Sequence, residues 1–221
     1  MKDPIMLELF SHWEQIRAGH LAPHRADIDP HKIENVLEHA FILEQPANGT
    51  ARFRIAGMRL VALMGMELRG MPATAAIAPQ SRDYFCQRLT QVFNQPEIVE
   101  MTLSASPAGG GRIGGGMLLL PMYDDRACIS RLLGCLVTTG SAPTSPLHPA
   151  PPLRFAVTAC KTTRIVSNRS APNRRPPNVG TLESVSPPLS GFSEAQDAFI
   201  PPVQKRPSAA ASHLRLVSSR D

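Results

Sequence analysis

Five of the seven histidines stand within the first 40 residues, and imidazole is the side chain that most often ligates metals or transfers protons near neutral pH. The five are His12, His20, His24, His31 and His39. No H-x3-H pair among them falls on one predicted helix, and no cysteine is adjacent, so the spacing of common metal sites is missing. We therefore predict neither a metal nor a haem site.

Residues 109–114, GGGRIG, match the G-x-G-x-x-G pattern with which dinucleotide-binding folds approach a pyrophosphate. That chemistry needs a strand before the glycines and a helix after them, inside a parallel βαβ unit. Here a strand-like run that ends at Pro121 follows instead. The pattern therefore predicts a flexible loop between antiparallel strands, in which Arg112 is available to an anionic partner.

Nucleophilic chemistry has little support in the sequence. The four cysteines, Cys86, Cys128, Cys135 and Cys160, form no CxxC pair, which is typical of reduced thiols in a cytosolic chain. No nucleophile elbow or cysteine-centred signature is present. Histidine-kinase, cyclic-dinucleotide synthase and helix-turn-helix patterns are missing as well. We therefore expect a chain that is not an enzyme and that passes any signal through a partner.

A charged loop, residues 25–30 with the sequence RADIDP, precedes the second predicted helix. Arg25 can pair with Asp27 or Asp29 and so fix the path of the chain. We prefer this structural role to contact with a ligand, although both remain open at this point. Asp29 also suits a helix N-cap, because Pro30 follows it.

An amphipathic helix over residues 5–18 is the first element that would position these side chains. Its apolar residues recur every three or four positions, which is the period of a helix with one buried face. We predict that Leu9, Trp13 and Ile16 mediate association with a partner or a second copy. Gly19 is expected to end the helix.

Turn signals and periodicity predict the remaining elements. Strands are expected over 40–44, 52–56, 98–105, 117–122 and 129–138, and further helices over 31–37, 58–64 and 81–94. Asn48-Gly49 predicts a tight hairpin between the first two strands. Gly65 should end one helix in a left-handed conformation, and Ser81 should cap the last one.

Several short motifs follow one another in a recognisable order along residues 7–140. They are His12-Trp13, Pro23, Arg25, Asp27, Asp29-Pro30, Ile33, Phe41-Ile42-Leu43, residues 53–57, Gly65-x-Glu67-Leu68-x-Gly70, residues 118–122 and residues 131–137. This order resembles a family of small bacterial PAS-like proteins and includes no catalytic signature. The resemblance implies a PAS fold and a sensory or regulatory role.

An α+β fold is therefore expected, with a PAS-like five-stranded antiparallel sheet, helices on one face and the N-terminal helix in addition. A cavity between helices and sheet is the usual ligand site of such modules. Its predicted walls are Phe41, Phe53, Ile55, Met58, Met64, Tyr84, Phe85, Leu118 and Leu120. The alternative, which we prefer, is that these side chains simply fill the core. The sequence indicates no particular cofactor.

The two parts of the chain differ in composition, and we place a domain boundary near Gly140. Residues 141–221 hold 13 of the 22 prolines and are expected to be mostly disordered. Segments 153–166 and 213–217 are candidates for an edge strand or a docking peptide, but a disordered tail is the plainer prediction. Residues 141–221 carry 10 basic and 4 acidic residues, against 13 and 14 in residues 1–140.

Two functions are consistent with these observations. The first is a cytoplasmic sensory or regulatory module that binds a signalling protein or a second copy of itself, with or without a small ligand. The second is an adaptor whose basic tail binds nucleic acid or other anions weakly and with strong salt dependence. The cytoplasmic expectation follows because no apolar stretch is long enough to span a membrane and no leader pattern is present.

Overall fold

Six antiparallel strands form one sheet in the described part of the chain, in the order β2-β1-β5-β4-β3-β6. The strands are β1 (Ala40–Glu44), β2 (Arg52–Ala56), β3 (Glu97–Ala105), β4 (Ile113–Tyr123), β5 (Ile129–Thr139) and β6 (Ala156–Arg164). The α-helices are α1 (Pro4–Arg17), α2 (Glu34–Leu37), α3 (Met58–Met64) and α4 (Arg82–Asn94). The structure is a computed structural model that describes residues 2–46, 49–107, 110–139 and 153–167.

The predicted α+β fold is confirmed, and several elements lie where the sequence predicts them. Strands β1 and β2 and helix α3 have the predicted bounds, and Gly65 ends α3 with a left-handed φ of 63°. Helix α1 begins after Asp3, whose Oδ1 accepts a hydrogen bond from the Ile5 amide at 2.9 Å. Its C-cap, Ala18, has a φ of 47°, so the chain leaves the helix one residue before Gly19.

The predicted number of strands, five, is one too few, because β6 continues the sheet beyond residue 140. It pairs antiparallel with β3, from Glu97 opposite Arg164 to Ser104 opposite Ala156. Phe155, which precedes β6, is fully buried in the core. The sheet therefore gains an edge strand from a segment whose plainer prediction was disorder. The predicted domain boundary near residue 140 would therefore divide β6 from the sheet to which it belongs.

Helices lie on both faces of the sheet, whereas the sequence predicted them on one face. Met117 and Leu119 of β4 point into a core with α3 and α4, which we call the first face. Leu118 and Leu120 point the other way, into a core with α1 and α2, which we call the second face. The strand residues alternate between two apolar cores, which explains why β4 reads as a continuous apolar run rather than an alternating one.

Two helices differ locally from the prediction, one in its cap and one in its type of turn. Ser81 does not cap α4, because its Oγ accepts a hydrogen bond from the Val157 amide of β6 at 3.1 Å. The predicted helix over 31–37 consists of a 3-10 turn, Pro30–Ile33, followed by α2. Asp29 caps this turn as expected, since its Oδ1 accepts a hydrogen bond from the His31 amide at 3.1 Å.

Two predicted loops lie partly outside the described residues. The β1–β2 hairpin is confirmed by its antiparallel pairing, but Asn48 of its turn is not described. The glycine-rich segment connects antiparallel β3 and β4, as predicted, and Gly109 is not described. Predictions of disorder beyond residue 167, and of docking by residues 213–217, also fall outside the described part.

Candidate functional site

An apolar groove opens on the second face, between the chain that leads into α2 and strands β1, β2 and β5. Its volume is about 160 Å³. Its apolar lining includes Ile28, Ile33, Leu37, Ile42, Ile55 and Leu133. Ile42 pairs with Ile55 across β1–β2 and with Leu133 across β1–β5, so the three strands present these residues side by side.

A β-bulge in β2 shapes this groove. Leu43 pairs with Phe53 and Ile42 pairs with Ile55, so Arg54 is an extra residue between the two pairs. A bulge interrupts the alternation of side chains along its strand. Phe53 is buried on the first face, whereas Arg54 and Ile55 both line the open surface on the other side. Ile55 remains 48% exposed there.

A polar cleft continues from the apolar groove and has a volume of about 410 Å³. Its charged lining consists of Arg25, Arg54, Arg69, Arg131 and Asp125. Arg25, Ile42 and Ile55 line both the groove and the cleft. The two therefore form one depression, apolar at one end and cationic at the other.

Glu44 forms ion pairs with two of the four arginines in the cleft. Its carboxylate lies 2.7 Å from Nε of Arg54 and 3.3 Å from a terminal nitrogen of Arg131. Among the described residues, no carboxylate forms an ion pair with Arg25 or Arg69. These two guanidinium groups are the ones free to meet a ligand.

The predicted pairing of Arg25 with Asp27 or Asp29 is wrong. Asp27 accepts a hydrogen bond from the His24 amide at 3.0 Å, and Asp29 accepts the one from His31 described above. Both carboxylates therefore hold the backbone of the loop, and Arg25 points into the cleft instead. The loop fixes the path of the chain, as expected, but without its arginine.

The nine predicted pocket residues do not line one cavity. Phe41, Phe53, Met64 and Phe85 are buried in the core of the first face, while Leu118 and Leu120 are buried on the second face. The remaining three are exposed on the surface: Ile55, Met58 at 82% and Tyr84 at 39%. The preferred alternative, that such residues fill the core, describes the six buried ones. Phe41 and Ile55 also contribute to the lining of the apolar groove.

The prediction that residues of α1 form an association surface is also wrong for two of its three residues. Leu9 and Trp13 are fully buried in the core of the second face. The indole Nε1 of Trp13 donates a hydrogen bond to the Pro121 carbonyl oxygen of β4 at 2.9 Å. Ile16 is half-buried. Leu9 and Trp13 therefore cover the chain's own sheet, and neither side chain is accessible to a partner.

Two of the histidines, His12 and His24, are buried, and neither Nε2 atom has a hydrogen-bond partner among the described residues. Burial lowers the pKa of His12, the charge of Lys32 lowers it further, and Asp29 opposes both. No group of three or more histidine, cysteine or acidic side chains in the described part is arranged to hold a metal ion.

The described cysteines are all free. Cys135 is fully buried on the second face, and burial raises the pKa of its thiol to about 12. At neutral pH this thiol is protonated, and a protonated thiol is a weak nucleophile. Cys135 therefore acts as a small packing residue.

The sequence missed Arg54, Arg69 and Arg131 as site residues, and the bulge explains the first omission. Regular alternation in the sequence RFRIA places Phe53 and Ile55 on the same buried face. The extra residue moves Ile55 to the opposite face beside Arg54. Arg69 and Arg131 reach the cleft from distant parts of the chain, so no local pattern connects them.

The described helices include none that is both long and apolar enough to cross a bilayer. No curated protein gives a significant match to the chain.

Several solved PAS and LOV domains are similar to the chain, at low identity. The dark structure of the blue-light photoreceptor Aureochrome1 LOV is 11% identical with a TM-score of 0.37, over 49% of this chain and 80% of that chain. The Rhodobacter sphaeroides LOV protein is 10% identical with a TM-score of 0.38, over 52% and 71%. A PAS domain from Colwellia psychrerythraea is 15% identical with a TM-score of 0.35, over 50% and 98%. The model of a family described as PAS domain matches residues 1–137, and the chain belongs to that family.

Proposed function

We propose that this PAS protein is a cytoplasmic regulatory module, not an enzyme, that binds a small molecule and acts on a partner protein. The observation that carries the proposal is the open depression on the second face, built from the loop at residues 25–30 and the edge of the sheet. An apolar concavity with a few convergent polar groups is the usual form of a small-molecule site. PAS membership supports the sensory role.

The contacts around α2 suggest how occupancy of the groove is communicated to the rest of the domain. Leu37, at the end of α2, lines the groove, and its carbonyl oxygen lies close to Gly57 at the start of α3. A Cβ at position 57 would stand 2.3 Å from that oxygen. The Arg59 amide donates a hydrogen bond to the Glu38 carbonyl oxygen at 2.9 Å. A movement of α2 would therefore displace the start of α3 through these direct backbone contacts.

The partner in this proposal is a signalling protein or a second copy of the chain. Leu9 and Trp13 are excluded as contact residues because they are buried. Met58, at the start of α3, is 82% exposed and lies beside the backbone contacts that join α2 to α3. We expect the surface around Met58 to change its position when the groove is filled. A partner would therefore recognise this part of the domain.

Native mass spectrometry and cross-linking of the full chain, purified from the cells that make it, test this function. We expect a retained small molecule together with a defined complex or dimer, and we expect Met58→Glu to dissociate the complex without unfolding the domain. Leu7→Glu, at another exposed apolar side chain, is the matched control. An empty monomer with no cross-linked partner would overturn the proposal. The full chain is required because truncation at residue 140 removes β6.

An adaptor function of the tail is the second candidate, because residues 141–221 carry 10 basic and 4 acidic residues. Three of these basic residues lie in or beside β6, so the tail beyond the sheet is residues 168–221, with 7 basic and 4 acidic residues. Lysine and arginine bind phosphates with affinities that fall steeply with salt. If the tail is responsible, deletion of residues 168–221 abolishes nucleic-acid binding in an electrophoretic mobility assay. Binding that survives this deletion, or that is independent of salt, contradicts the adaptor function.

A further inference from the structure

The depression on the second face has two chemically different ends that share Arg25, Ile42 and Ile55 in their lining. A ligand that fills it touches apolar side chains at one end and guanidinium groups at the other. The chemistry of each end restricts the class of molecule that fits.

The apolar end accommodates a small hydrocarbon group. Its volume is about 160 Å³, and an apolar cavity of about 150 Å³ is known to bind benzene. Ile28, Ile33 and Leu37 close it on the side of the loop and α2, and Ile42 and Leu133 close it on the side of the sheet. A ring or a short branched chain is the size of group that fills this space.

The cationic end is suited to an anion. Arg54 and Arg131 are already held by Glu44, whereas Arg25 and Arg69 form no ion pair within the described residues. Asp125 is the acidic residue in the lining that the structure describes, so positive charge is in excess. The planar guanidinium group donates two parallel hydrogen bonds to a carboxylate or phosphate, which makes arginine selective for such groups.

The wider charge distribution favours a small anion over a polymer. Residues 1–167, which include β6, contain 16 basic and 14 acidic residues, so this part of the chain is close to neutral. A nucleic acid requires an extended basic surface that follows its backbone. Here the positive charge is concentrated in one concave site.

We propose that this depression binds an organic anion, a carboxylate or phosphate monoester that carries an apolar group of about the size of a benzene ring. The inference rests on the proposed function in that it names the ligand class of the same site. The anionic group lies between Arg25 and Arg69, and the apolar group lies against Ile42 and Ile55. The anion therefore connects the loop to the sheet edge.

Isothermal titration of the full chain with phenyl phosphate tests the proposal, with inorganic phosphate as the comparison. We expect phenyl phosphate to bind at least about tenfold more tightly, because burial of its ring adds hydrophobic free energy to the charge interaction. Equal affinities would overturn the proposal, since they would show that the apolar end takes no part.

Variants locate the site. The double variant Arg25→Gln/Arg69→Gln should weaken phenyl phosphate binding by about tenfold or more, since charge-assisted hydrogen bonds are lost. Arg112→Gln removes an exposed arginine outside the depression and should leave the affinity unchanged. Ile55→Asp should abolish binding by placing a negative charge at the junction of the two ends. Wild-type affinity in the double variant or in Ile55→Asp would overturn the assignment.

A vesicle experiment identifies the source of the anion. Co-sedimentation with vesicles that contain phosphatidic acid, whose headgroup is a phosphate monoester, assigns the anion to a lipid headgroup if the double variant abolishes it. Binding of phenyl phosphate without co-sedimentation assigns it to a soluble molecule. These titrations involve no partner protein. Failure of phenyl phosphate to bind therefore contradicts the ligand class alone, whereas an empty monomer in the native spectra contradicts the function.

Discussion

The two faces of the sheet are covered to different extents. On the first face, side chains from all six strands pack against α3, α4 and the segments around them. On the second face, α1 and α2 cover residues of β1, β4 and β5, and the described part of β2 adds nothing to that core. Ile55 and the four arginines surround the uncovered area. The first face stabilises the fold, and the second face leaves room for a ligand where its cover ends.

The strongest test of this difference uses two residues of β2 on opposite faces. Phe53→Ala, at a site 2% exposed, should lower the free energy of unfolding by about 3–5 kcal/mol. Ile55→Ala, at a site 48% exposed, should lower it by less than about 1 kcal/mol. Chemical denaturation of both variants measures the two values. Similar losses would mean that the two faces are equally closed.

A glycine next to Phe41 tests how tightly the first face is packed. A Cβ at Gly134 would stand 2.4 Å from the Phe41 ring and 2.7 Å from the Leu118 carbonyl oxygen. Gly134→Ala should therefore destabilise the fold by about 1–3 kcal/mol, as overpacking does. In the control, Gly114→Ala, the nearest atom is the Thr139 hydroxyl, which can rotate away. Thermal melts that shift equally for both would show that the Phe41 ring adapts freely.

Removal of the hydrogen bond between the Val157 amide and Ser81 tests how β6 is held against the first face. Ser81→Ala should reduce stability by about 1 kcal/mol, the usual net contribution of one hydrogen bond. Amide exchange at Val157 should become faster, because its donor loses the Ser81 oxygen at 3.1 Å. Exposed Ser11→Ala serves as the control. An unchanged exchange rate at Val157 would show that pairing with β3 alone protects this end of β6.

The smallest expected effect is a pH dependence from His12 under the second face. Its pKa is lowered by burial from the ordinary 6.5, so the unfolded chain binds the proton more readily than the folded one. The contribution of neutral His12 to stability is complete above pH 6.5 and is lost as the pH falls through the lowered folded-state pKa. Denaturation at a series of pH values should show a weaker decline for His12→Gln than for His31→Gln, which replaces an exposed histidine. Identical declines would contradict the role of His12.

Much of the fold was predictable from local features. Asp3, Asp29 and Gly65 each begin or end an element through contacts within a few residues, so the sequence alone contains the necessary information. The bounds of β1, β2 and α3 follow for the same reason. The order of motifs also identified the PAS family correctly.

The candidate site depended on contacts between residues far apart in the chain. The bulge at Arg54 arises from pairing with β1, and its effect on Ile55 cannot be deduced from alternation in β2 alone. Arg131 and Glu44 are neighbours because β5 pairs with β1. Likewise, β6 joins the sheet by pairing with β3, from which it is separated by more than 50 residues in the chain.

The sequence by itself therefore determined the family, the α+β class and most element bounds, since these depend on short-range propensity, capping and periodicity. Only the tertiary structure decided which face each apolar residue occupies, that α1 covers its own sheet, and that four arginines meet beside Ile55. The physical reason is that strand register and helix packing bring together residues that are distant in sequence, and one extra residue in a strand changes which side chains meet.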